Sequence, residues 1–274
     1  MRSLKVWEVR FKSRMHNNPF NLIIPVSMRF CFKELESAIS PQIVDSNRRF
    51  TLKILAIIAS PRGMQGNTGR LLEEVVAGVD AAGGETEILS LKTLIVKPCI
   101  ACDACHKTGV CTINDDYELI KEKLLACDGF ILASPNYIFS VTAQMKALFD
   151  RCNGLIHCMA LEGKYAAMVE TSGGGEDEEV LTYMSRFVTT LGASSVGGVG
   201  SAMAGVRTFP DEENLCARAR ALGQELCQSI SDKRAYALQD GFREEFKLRM
   251  SGLVDIMKDY WPFERDYWAK KRSR

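Results

Sequence analysis

The 274-residue chain has no run of roughly 18 apolar residues, the length a membrane-spanning helix needs, and its best short run, Leu22 to Val26, is broken by Pro25. No membrane association is expected. Its first residues lack the apolar core and small-residue cleavage site of a secretory leader, so the cytoplasm is the expected compartment. No dense lysine and arginine run interleaved with aromatics is present, which argues against a nucleic-acid partner. Internal repeats and low-complexity segments are also missing. A net charge of only +1 conceals an uneven distribution: residues 51–240 are acidic on balance, while both flanks are basic and read as surface arms.

What is present is an ordinary globular composition, 46% hydrophobic and 25% charged, on a length that suits one large domain with appendages. Residues 1–50 show no clear periodicity and carry Pro19, Pro25 and Pro41, so they read as an N-terminal extension. From Leu52 short apolar runs alternate with amphipathic stretches, the pattern of successive βα units. Strands are expected near 52–59, 85–91, 129–134, 165–170 and 194–199, and helices near 67–82, 116–126, 145–152, 180–191 and 215–226. This pattern predicts an α/β fold, a doubly wound five-stranded parallel sheet of flavodoxin-like order 2-1-3-4-5, over residues 51–235. Residues 236–274 read as a helical tail rich in aromatics (Tyr260, Trp261, Phe263, Tyr267, Trp268) that packs on its own domain or on a second subunit.

Three segments fall at carboxyl ends of predicted strands, where ligands bind in such sheets. The first, Ser60 to Thr68, joins strand to helix and is rich in Gly, Ser, Asn and Thr, so backbone N–H groups and hydroxyls converge where the helix dipole favours an anion. It reads as a phosphate cradle, with an ordinary helix capped by Asn67 or Thr68 as the alternative. It is neither GxGxxG nor a P-loop, which disfavours nucleoside triphosphate chemistry. The second segment, Ser134 to Ser140, offers a flat apolar wall in Pro135 and Tyr137. The third, Thr171 to Gly175, contains three glycines that let backbone approach a ring or form a flexible turn.

Ten cysteines suggest metal, redox or buried thiols, since disulfides rarely persist in the cytoplasm. Cys31, Cys127, Cys152, Cys158, Cys216 and Cys227 are scattered and read mostly as core filler. Cys99, Cys102, Cys105 and Cys111 instead share one insertion, residues 97–112, after the second strand. Three thiolates at every third residue match the ferredoxin spacing for a 4Fe–4S cluster, and Gly109 frees the chain to bring back the fourth. Structural zinc, which usually joins two separated hairpins, and a metal-free loop remain open. With four cysteines available, His106 is expected to face solvent.

The segments Ser60–Thr68, Ser134–Arg151 and Thr171–Gly175 resemble the FMN-binding loops of NAD(P)H-dependent FMN reductases, and together with the cysteine motif the chain resembles the iron-sulfur flavoprotein family of anaerobic prokaryotes. The resemblance covers roughly residues 52–235. It implies FMN, with Ser60, Arg62, Asn67 and Thr68 on the phosphate and Pro135, Asn136, Tyr137, Thr171, Gly173 and Gly174 on the ring. It also implies one 4Fe–4S cluster on the four clustered cysteines and a homodimer or homotetramer. The expected activity is electron transfer between a ferredoxin-like donor, the cluster and FMN. An NAD(P)H-dependent FMN or quinone reductase without a cluster and a non-enzymatic flavodoxin-like module are the alternatives. No general base is evident.

Overall fold

The computed structural model describes residues 51–175 and 177–273; the expectations placed on residues 1–50, Cys31 included, lie outside them. Its first strand, β1 (Lys53–Ile58), is almost wholly apolar and buried, as a strand covered on both faces must be. Helix α1 (Asn67–Ala81) follows a single 3-10 turn, and β2 (Glu85–Ser90) forms the more exposed edge of the sheet. The cysteine insertion comes next and contains a short helix, α2 (Ala104–Thr108), before α3 (Tyr117–Ala126). Then come β3 (Gly129–Pro135), α4 (Ala143–Arg151), α5 (Asn153–Cys158), β4 (Tyr165–Ser172), α6 (Asp177–Thr190), β5 (Ser194–Ala202) and α7 (Glu212–Asp232). The sheet is parallel throughout, in the order β2-β1-β3-β4-β5. Both the element sequence and the strand order agree with the sequence expectation; α2 and α5 are short additions that periodicity did not reveal.

Alternation along each strand divides the core into two layers. Leu55 and Ile57 of β1 pack with Phe130, Leu132, Ala166 and Met168 against α3, α4 and α6. Ile54, Ala56 and Ile58 face the other way, with Ile131, Ala167 and Val169, against α1 and α7. Four scattered cysteines, Cys127, Cys152, Cys158 and Cys227, are buried core residues as expected, whereas Cys216 is half-buried.

The tail forms α8 (Ala237–Ile256) and α9 (Pro262–Arg272), which lie in the same compact unit as the sheet. Phe246, Met250, Val254 and Trp268 form a third core with Met159, just after α5. Of the aromatic cluster, Trp261 and Trp268 are buried on their own chain, whereas Tyr260 and Phe263 are exposed. None of the helices is long and apolar enough to cross a membrane, among the described residues.

Candidate functional site

Nine of the ten residues singled out for a nucleotide cofactor line one groove at the carboxyl ends of the strands. Ser60, Arg62, Asn67, Thr68, Pro135, Asn136, Tyr137, Thr171 and Gly173 share it with Gly66, Ser172 and Met203, around a space of about 220 Å³. Gly174 sits in the same loop, outside the groove lining. A larger hollow of about 380 Å³ opens beside the amino ends of β1 and β2, but Lys123 there is already paired with Glu87, and doubly wound sheets bind ligands at the other end.

The groove suits a phosphate at one end. Gly66 caps α1 without any side-chain hydrogen bond, so neither Asn67 nor Thr68 serves as the cap, and the first turn carries no acidic residue to oppose an anion. The Arg62 side chain is exposed and has no partner among the described residues. The buried Thr68 hydroxyl lies 2.7 Å from that of Thr171, which ties the first loop to the end of β4. At the other end, Asn136 joins the two remaining loops: its N–H donates to the Thr171 carbonyl at 2.9 Å and its amide to the Gly175 carbonyl at 3.3 Å. A methyl group built on Gly173 would meet nothing within 4 Å, so the glycine leaves open the space that a ring would fill. Beyond Tyr137, Ile138 and Phe139 project into solvent from a tight turn with φ of 50° and 64°. A β-branched residue at positive φ is uncommon, and such strain concentrates at functional sites.

Beneath this groove lies an unexpected acid. Glu170, near the end of β4, is fully buried, and neither carboxyl oxygen has a hydrogen-bond partner among the described residues. Burial, followed by the facing carboxylate of Asp177, pushes its pKa up to about 9 and keeps it neutral.

The four clustered cysteines also converge. Cys99, Cys102, Cys105 and Cys111 line one small recess of about 30 Å³ together with His106, Arg151 and Asn153, and all four thiols are free. Left-handed backbone at Ala101 and Asp103 (φ 52° and 58°) curls the first half of the loop around the recess. Gly109, at φ 77°, caps α2 and turns the chain back toward Cys111; a methyl group there would also lie 2.5 Å from the Phe263 ring. The donor set suits thiolate ligands: the Ala104 N–H and then the Thr112 hydroxyl hold the Cys102 thiol below its usual pKa, and the Ala101 N–H donates to Cys99 Sγ at 3.4 Å.

His106 is not solvent-facing. It is only 2% exposed, and its Nδ1–H donates to Glu264 of α9 while Nε2 lies 3.0 Å from the Asn153 amide. The His157 ring stacks against it at 4.5 Å between centroids, and the Trp261 ring lies tilted against it at 4.7 Å. Burial disfavours its charge, but Cys105 and Glu264 outweigh burial and push its pKa up to about 10. The expectation failed because it counted ligands within the loop, whereas the residues that cover His106 lie outside it, Glu264 as far as 158 positions away. Gly66, Ser172 and Met203 of the groove were given no role in the sequence; Gly66 and Ser172 lie within loops already singled out, and the rule that strand carboxyl ends carry the site extends to the loop after β5 and reaches Met203.

A groove and a thiol-lined recess on a doubly wound sheet define a class of redox protein, and comparison with known sequences identifies it. Residues 52–206 match the NADPH-dependent FMN reductase family, so the protein is an FMN-dependent oxidoreductase. An iron-sulfur flavoprotein of Archaeoglobus fulgidus is 30% identical over 227 residues, covering 80% of this chain and 99% of that protein. One from Methanosarcina thermophila is 34% identical over 166 residues, covering 60% and 86% respectively. The chain belongs to the iron-sulfur flavoprotein family. Among solved structures, a flavone reductase (TM-score 0.53, 17% identity, 66% of this chain and 64% of that one) and an NADH:FMN oxidoreductase in its apo form (TM-score 0.51, 21% identity, 65% and 90%) share the fold.

Proposed function

We propose that this protein passes electrons between a one-electron donor such as ferredoxin, a 4Fe–4S cluster held by Cys99, Cys102, Cys105 and Cys111, and FMN held in the groove. The observation that carries this reading is the convergence of four free cysteines on one recess, in a chain whose sheet also offers, at its carboxyl edge, a helix N-terminus without a side-chain cap. The redox chemistry belongs to the cofactors when bound. The protein's part is to hold and orient them. Ser60, Arg62, Asn67 and Thr68 would take the phosphate through hydroxyls, the open first turn of α1 and the guanidinium. Pro135, Asn136, Tyr137, Thr171, Gly173 and Gly174 would flank the ring, with Asn136 keeping the two loops in register. Sharp turns at Ala101, Asp103 and Gly109 would aim four thiolates at one centre.

The family match also favours NAD(P)H as a direct electron donor, a second reading that dispenses with the cluster. Ile138 and Phe139, exposed at the groove's rim, supply apolar surface that a homodimer or homotetramer would cover. Free thiols on the partly exposed cysteine loop suit a reducing compartment, which supports the cytoplasm. The test is anaerobic purification followed by iron and acid-labile sulfide analysis and chromatography of the released flavin. About four iron and four sulfide per chain together with FMN are expected. Zinc or no metal, with flavin bleached rapidly by NAD(P)H alone, would transfer the assignment to the second reading.

A further inference from the structure

One buried charge stands at the cluster recess without being a ligand. Arg151, the last residue of α4, lines the recess with the four cysteines. Its side chain and that of Asp115 are each 1% exposed and form a two-pronged pair, Nη1–Oδ2 at 2.6 Å and Nη2–Oδ1 at 3.1 Å. Nη1 also donates to the Lys97 carbonyl at 2.9 Å, and the Lys97 N–H donates to Asp115 Oδ2 at 2.8 Å. Lys97 precedes Cys99 and Asp115 follows Cys111, so this one guanidinium fastens both limbs of the cysteine loop to the end of α4. The plane of Tyr117 lies beneath it, 4.6 Å from its central carbon.

A further observation points toward the recess. The guanidinium Nε is buried with no hydrogen-bond partner among the described residues, an expensive omission for a group that carries positive charge. An anionic centre of four thiolates in the recess would supply what Nε lacks. Charge and hydrogen bonds near the sulfurs are among the features that set a cluster's potential.

Resting on the cluster reading above, we infer that Arg151 is a positioning residue for the cluster: its fork with Asp115 sets the loop that carries the thiolates, and its positive charge stabilises the reduced, more anionic state. The test compares Arg151→Gln and Asp115→Asn with the parent after identical anaerobic reconstitution, reading FMN content, iron per chain and the cluster's midpoint potential by spectroelectrochemistry. Both variants break the fork, so iron per chain should fall at least two-fold in each while FMN content stays at the parental level. The potentials should move in opposite directions, more negative when the cation is removed and more positive when the carboxylate is removed. A purely structural role would not separate the two in sign. Parental iron in both variants, or potentials shifting the same way, overturns the inference. If Arg151→Gln, which strands a buried carboxylate, does not fold, Asp115→Asn decides alone: its potential must rise. A parent that takes up no cluster overturns both readings; a parent that takes one up beside indifferent variants overturns only this one.

Discussion

At the scale of single residues, groups that act on their sequence neighbours are readable, and groups acting across the fold are not. Asn67 and Thr68 stand where strand passes into helix, and the part in a phosphate cradle proposed for them rests on that local pattern. Changing either to Ala should weaken FMN binding by about 1–3 kcal/mol, the cost of unmade polar contacts, with the fold intact. Equilibrium titration of apo-protein with FMN measures it, and undiminished affinity in both variants removes the loop from the phosphate site. Glu170 is the contrary case. Nothing in the sequence marks the acid at the end of the expected strand 165–170 as neutral, but β4 buries it and the facing Asp177 adds to what burial does against its ionisation. Its usual pKa of 4.5 rises to about 9 on folding, so between those values the folded chain binds one proton more than the unfolded chain. Stability from this group is therefore complete below the lower value and declines as pH rises toward the upper one. Glu170→Gln, an uncharged mimic of the acid form, should melt near the parent at about pH 5 and progressively above it toward about pH 9. Thermal melts of both proteins with saturating FMN are the check; parallel profiles would mean that the acid ionises freely.

Among elements, the five strands were legible because each is an apolar run bounded by turns, and a parallel sheet covered on both faces needs such runs. The bracing of the cysteine loop by the C-terminal helix was not legible. The aromatic cluster of residues 260–268 showed that the tail must pack somewhere, but no local pattern connects Glu264 to His106 or Phe263 to Gly109. In the structure Glu264 is fully buried between His106 and His157, Trp268 donates to the His157 carbonyl at 3.1 Å, and Lys271 reaches the Cys158 and Met159 carbonyls at 3.1 and 3.2 Å. Helix α9 therefore clamps α2 and α5 together. Glu264→Ala leaves the histidine pair without its carboxylate and should cost about 3–5 kcal/mol, the usual penalty for removing one member of a buried charged pair. Hydrogen exchange should rise in residues 104–112 and remain parental in α1, which lies on the other side of the sheet. Uniform acceleration through both segments would show a global destabilisation rather than a local clamp.

Across the whole molecule, α4 connects the two halves of the candidate site. Just before it, Thr142 accepts from the Met145 N–H and donates to the Ala59 carbonyl at 2.8 Å, fixing the helix to the loops of the groove. At its end Arg151 grips the cysteine loop. Nine residues at about 1.5 Å each make a rod about 13 Å long, so groove and recess are held at a fixed separation by one rigid element. Such an arrangement suits the electron passage proposed between a cluster in the recess and FMN in the groove, and it predicts that such a cluster serves as a relay. Cys105→Ser removes one thiolate from the recess without touching any residue of the groove, so the variant should lose or alter its cluster and keep FMN. Anaerobic stopped-flow mixing with reduced ferredoxin, at equal FMN content, should then show flavin bleaching slowed at least ten-fold relative to the parent. NAD(P)H, if it donates directly at the groove, should bleach both proteins at the same rate. Equal ferredoxin rates in a variant verified to lack iron would reduce the cluster to a staple for the loop, leaving Arg151 and α9 to brace a structural element instead of an electron path.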